Sequence, residues 1–209
     1  MTLPSENRNV LLRRALRLEY LTVGWNVIEG FVAIGAGVAA GSVALVGFGL
    51  DSFIEVTSAA TLIWRLKKTG SPDEELAAER LALRIVAVTF FLLAAYVAYE
   101  SARALWLRET SKESLVGIGL SILSSIVMPW VGLAKRKTAR DLDSKALAAD
   151  AVETMVCAWL SIILLLGLGM NALWGWWWAD PLAGLVMAGF IVKEGWEALE
   201  ESNDSREDQ

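Results

Sequence analysis

The chain contains no histidine, a single cysteine and four prolines in 209 residues. Without histidine, a metal site here has to be built from carboxylates and the one thiol. That one cysteine, Cys157, rules out an internal disulfide. There is no nucleotide-binding glycine loop, no G-x-S-x-G and no H-E-x-x-H, so enzymatic chemistry has little support. Long polar stretches are missing too. Hydrophobic residues make up 55% of the chain and the mean hydropathy is +0.46, which is rare for a soluble domain.

What is present is a series of apolar runs, each long enough to cross a hydrocarbon core about 30 Å thick at about 1.5 Å per residue. Six are found, at roughly 18–40, 42–66, 83–107, 114–134, 144–168 and 178–199. The expected fold is therefore all-α, a polytopic six-transmembrane-helix bundle. It divides into an N-terminal segment (1–17), the six-span domain (18–199) and an acidic tail (200–209). The N-terminus does not read as a cleavable signal: Pro4, Glu6 and Asn7 lead into a basic stretch and a full-length span. Leu11 to Tyr20 reads as an interfacial start to span 1.

The formal net charge of −5 is less informative than its distribution. Arg8, Arg13, Arg14, Arg17, Arg65, Lys67, Lys68, Arg80, Arg84, Lys135, Arg136, Lys137, Arg140, Lys145, Lys193 and Arg206 fall on one side of a six-span topology. Only Arg103, Arg108 and Lys112 fall on the other. The positive-inside rule then places both termini in the cytoplasm, in a cytoplasmic membrane. Basic loops facing an anionic leaflet need no nucleic-acid partner. Trp174, Trp176, Trp177 and Trp178 fall at the outer interface as an aromatic belt.

One pattern occurs twice, offset by 102 residues: S-x-A-L-x5-[D/E]-x3-[E/C]. The first copy is Ser42, Ala44, Leu45, Asp51 and Glu55; the second is Ser144, Ala146, Leu147, Glu153 and Cys157. In each copy the last two residues are four apart and share a helix face. Spans 2 and 5 run in opposite directions, so the copies form an inverted repeat, as in many secondary transporters. The pairs begin nine residues in, and their centres fall roughly 16 Å along the helix at about 1.5 Å per residue. That is near half the core thickness from either face.

Two acids at the centre of span 2 cost roughly 5–7 kcal/mol to insert. About ten large apolar residues return some 3–6 kcal/mol. The span is near break-even unless the acids face the bundle and are protonated, paired or metal-bound. Interhelical hydrogen bonding is the bland alternative. A divalent cation is the functional one. Three carboxylates and a thiolate suit zinc, and oxygen-rich sites also take manganese or iron. Without metal, burial and like charge favour the protonated carboxyls, so metal arrival would release protons and supply an exchange mechanism.

Other residues stay open between two readings. Asn26 and Glu29 in span 1 either line an ion path or hydrogen-bond between helices. Asp150 either relays protons or supports a ligand from behind. Cys157 either ligates or packs as a small apolar residue. Glu100 reads as snorkelling, Asp180 as the cap of span 6, and Gly35 and Gly37 as close packing. Gly167-Leu168-Gly169 reads as the end of span 5, and Pro129 as a kink in span 4.

The stretches from Gly41 to Glu55 and from Ser144 to Cys157, with Asp180-Pro181-Leu182 and Gly195-Trp196, resemble the cation diffusion facilitator family of divalent-metal transporters. The resemblance implies six spans, cytoplasmic termini and a transport site of paired ligands on spans 2 and 5. Carried over by position, Asp51, Glu55, Glu153 and Cys157 are the implied metal ligands, and Asp150 matches the Asp of an A-D-x-x-[H/D] stretch. Glu153 stands where His or Asp is usual, and Cys157 where Asp is usual. The implied function is secondary transport of a zinc-, manganese- or iron-class cation, as efflux by proton exchange. A non-transporting metal-binding scaffold and a passive channel are the alternatives. The expected partners are the metal, protons, membrane lipid and a second copy of the chain, with no bound cofactor. Many members add a cytosolic C-terminal domain that dimerises; this is expected to be a short form without one.

Overall fold

In the computed structural model, residues 5–67 and 72–204 are described. The link at residues 68–71 and the end of the acidic tail lie outside them. Among the described residues there are six helices: α1 Ser5–Ala40, α2 Val43–Lys67, α3 Pro72–Leu107, α4 Leu115–Leu142, α5 Lys145–Trp174 and α6 Ala179–Asp204. The first five are long and apolar enough to cross a membrane by length and composition. In α6 the apolar run is bounded by Asp180 and Lys193, and it packs chiefly along α3.

Helices α1, α2, α4 and α5 form a ring through the pairs α1–α2, α4–α5, α1–α4 and α2–α5. The α3–α6 pair flanks it, held by α2 and α5. The core joins Leu45 and Phe48 of α2, Val97 of α3, Met128 of α4, Leu164 of α5 and Met187 of α6. At the α1–α2 crossing, a Cβ on Gly49 would meet the Gly30 carbonyl at 2.9 Å and the Ala33 Cβ at 2.9 Å. Glycine there lets α2 lie against α1 just before Asp51. Gly37 is similarly tight against Val46, whereas Gly35 faces open space. The close-packing expectation therefore holds for Gly37 and fails for Gly35.

The repeat has a structural meaning that begins before its serine. Gly41 (φ 67°) and Asp143 (φ 52°) are left-handed residues ending α1 and α4. After each, the serine N–H donates five residues back, from Ser42 to the Gly37 carbonyl and from Ser144 to the Ala139 carbonyl, both at 3.0 Å. Each serine hydroxyl then caps the next helix. Ser42 Oγ accepts from the Leu45 N–H at 3.1 Å, and Ser144 Oγ from the Leu147 N–H at 3.4 Å. Leu45 and Leu147 are both fully buried. The S-x-A-L portion is thus an N-cap plus an anchoring leucine, repeated at opposite ends of the bundle.

Several helix ends differ from the apolar runs. α4 continues through Pro129 to Leu142. Lys135, expected in a cytoplasmic loop, is therefore helical and fully buried. α5 runs past Gly167 and Gly169 to Trp174 and is closed by Gly175 (φ 65°), which donates to the Asn171 carbonyl. Gly167 instead serves close approach to α6, since a Cβ there would meet Ala183. Asp180 does not simply cap its own helix. It accepts from Ser42 Oγ at 2.6 Å and from the backbone N–H groups of Val43 and Ala44, so it caps α2 from across the bundle. Glu100, near the C-terminal end of α3, pairs with Arg103 at 2.9 Å.

Candidate functional site

The α2–α5 interface sets the register of the candidate ligands. Ser58 Oγ donates to Glu153 Oε2 at 2.6 Å. One turn away, Glu55 lies beside the Cys157 thiol and Thr154. Asp51 is a further turn along α2, with Glu55, Glu194 and Glu29 as its charged neighbours. The two pairs are therefore staggered. Glu55 and Cys157 are level, with Asp51 about 6 Å to one side and Glu153 about 6 Å to the other at about 1.5 Å per residue.

Asp51, Glu55 and Cys157 are buried, while Glu153 is partly exposed. No hydrogen bond of good geometry reaches either oxygen of Glu55, although both are shielded from solvent and the Cys157 thiol and Thr154 hydroxyl stand beside the carboxyl group. Such an orphaned group costs about 1–3 kcal/mol, more when charged, and calls for an explanation. Among the described residues, no three His, Cys, Asp or Glu side chains close into a ready coordination sphere. The stagger of the two pairs accounts for this. A cation would have to draw Asp51 and Glu55, one turn apart on one face, towards Cys157.

Helix α1 supplies one wall. Ala15, Glu19, Thr22, Asn26, Glu29 and Ala33 are all fully buried and follow one another at helical spacing. The inward stripe of this helix is thus polar through most of its length. Glu29 accepts from Ser52 Oγ at 3.1 Å and from Trp25 Nε1 at 3.3 Å, so it bonds α1 to α2. Asn26 is buried with neither amide atom hydrogen-bonded.

Three functional-looking residues escaped the sequence reading. Lys135 Nζ pairs with Glu19 at 3.0 Å and with Asp150 at 2.5 Å. Asp150 is therefore an ion-pair partner as well as a neighbour of the candidate ligands. Glu194 on α6 is 8% exposed, has an unpartnered Oε1 and sits among the charges around Asp51 and Glu153. A signal existed for each. Glu194 continues the buried stripe Ala183, Met187, Ile191, and Lys135 continues Met128 and Val131. Glu19 lies one turn before Thr22 on the stripe of α1.

The profile of the cation efflux transmembrane domain matches residues 20–205. The chain is 26% identical over 195 residues to an uncharacterized transporter of Synechocystis, an alignment covering 90% of this chain and 63% of that protein. It is 24% identical over 199 residues to transmembrane protein 163 of Xenopus laevis, covering 94% and 69%. It is 24% identical over 179 residues to an uncharacterized transporter of Methanocaldococcus jannaschii, covering 83% and 63%. The chain thus spans about two thirds of the length of these relatives.

Proposed function

The chain belongs to the cation efflux family, and from that premise we propose that it is a secondary transporter carrying a divalent cation of the zinc, manganese or iron class out of the cytoplasm in exchange for protons. The observation that carries this reading is Glu55: a buried carboxylate reached by no hydrogen bond of good geometry, level with the one thiol of the chain at the crossing of the two repeats. Asp51, Glu55 and Cys157 are the proposed inner ligands. Glu153, held by Ser58, is the ligand on the side where α2 ends and α5 begins.

The chemistry follows from the residues. Asp51 and Glu55 are an i, i+4 pair, so one cation can bridge them without helix movement. Cys157 adds a soft donor, which favours a borderline ion over a hard one. Buried acids bear protons when no cation compensates them and lose them when one binds. Loading the metal then expels protons, and reprotonation from the other side drives it off. The inverted repeat suits alternating access, because α1–α2 and α4–α5 are capped by matching turns at opposite ends.

The test is uptake into proteoliposomes across a panel of divalent metals. The reading predicts saturable flux of zinc, manganese or iron. Stoichiometric binding without flux would mean a metal-binding scaffold, and flux that never saturates would mean a channel.

A further inference from the structure

We propose that Glu19, Asp150 and Thr154 form a second cation site, distinct from Asp51, Glu55 and Cys157, which the chain fills with its own Lys135 ammonium. Three side chains converge on Lys135 Nζ: Glu19 Oε2 at 3.0 Å, Asp150 Oδ2 at 2.5 Å and Thr154 Oγ1 at 3.3 Å. They come from α1 and α5, and the ammonium from α4. An ammonium has three donors, and all three are used.

Two features separate this arrangement from an ordinary buried ion pair. Lys135, Glu19 and Thr154 are fully buried and Asp150 nearly so, so the ammonium is enclosed as a bound ion would be and does not reach the surface as lysines usually do. There is also too much acid for one lysine. Glu19 Oε1 and Asp150 Oδ1 are both buried without partners. One monovalent cation can balance only one of the two carboxyl groups in its ionised form, whereas a divalent cation would balance both. All the donors are hard oxygens. Removing the lysine therefore leaves a site for a hard, oxygen-binding divalent ion.

The placement gives this occupancy a consequence. Thr154 touches Lys135 and lies beside Glu55, so one hydroxyl separates the tethered cation from the proposed cargo site. Lys135 keeps the second site permanently filled and leaves Asp51 and Glu55 as the acids free to take a mobile ion.

The test is the calcium-binding stoichiometry of the full-length protein in detergent, measured with radioactive calcium by equilibrium dialysis. Lys135→Ala is expected to bind one more calcium per chain than wild type, and Glu19→Gln in the Lys135→Ala background is expected to abolish the gain. n-Propylammonium, which replaces the missing ammonium and stem, should compete with that calcium. An unchanged stoichiometry in Lys135→Ala, or a gain that survives Glu19→Gln, overturns the proposal. If Lys135→Ala folds only with calcium or n-propylammonium, the proposal stands; if Lys135→Ala aggregates with either cation while the apolar replacement Lys135→Met folds and binds no extra calcium, or if both variants aggregate with calcium, it falls. The gain is counted against wild type, so the outcome is independent of whether the chain transports metal.

Discussion

Ser58 donates to Glu153 across the α2–α5 interface at 2.6 Å, and this bond fixes which residues of the two repeats stand level. It places Glu55 opposite Cys157 and leaves Asp51 and Glu153 a turn to either side. Ser58→Ala removes one hydrogen bond, worth about 1 kcal/mol, and frees the Glu153 carboxylate. The expected result is a folded protein with a small fall in melting temperature and a several-fold change in the metal concentration giving half-maximal flux. Unchanged half-saturation would show that Glu153 does not meet the ion.

Asp180 and Ser42 should prove more important for stability than for transport. Asp180 accepts from the Ser42 hydroxyl and from two backbone N–H groups at the start of α2. Loss of a helix cap costs about 0.5–2 kcal/mol. Asp180→Ala, which removes three hydrogen bonds, should therefore lower thermal stability more than Ser42→Ala, which loses the Leu45 cap and the Asp180 bond but keeps Asp180 on Val43 and Ala44. Equal melting temperatures for Asp180→Ala and wild type would contradict the cross-bundle cap.

How far the sequence revealed this arrangement can be judged from particular residues. The apolar runs located the helices, and the 102-residue offset located both repeats. The same offset concealed a second cause: Ser42 and Ser144 recur because each closes a left-handed turn and caps a helix. Lys135 was misplaced because it stands beside Arg136 and Lys137 in a basic run. Sequence neighbours do not tell which of three consecutive cations turns inward, whereas spacing from Met128 and Val131 does. Glu194 was hidden in the same way beside Lys193. The stagger of Asp51 and Glu153 was not legible at all, because counting from each helix start cannot give interhelical register.

Cys157 tests the ligand set from its soft end. Cys157→Ser changes volume little but removes the soft donor, so zinc flux should fall about tenfold or more. Cys157→Asp should partly restore flux and shift preference towards manganese or iron. Unaltered zinc affinity in Cys157→Ser would mean that the thiol only packs against Glu55.

Proton coupling follows from the buried acids. With a pH-sensitive dye trapped in proteoliposomes, metal entering the lumen should be matched by protons leaving it. Acidifying the side from which metal is taken should slow transport, because protons compete for the same carboxylates. Metal flux with no proton movement would indicate a uniporter or channel.

The most direct measurement is zinc and manganese flux in proteoliposomes of Asp51→Ala and Glu55→Gln beside wild type, with folding checked by size-exclusion chromatography. Glu55→Gln keeps shape and removes only the charge of the carboxylate that lacks a well-formed hydrogen bond. Loss of flux by about a hundredfold or more in both variants, with the protein still folded and membrane-inserted, is the predicted result. Wild-type flux in either folded variant would contradict a transport site built on the α2 carboxylates.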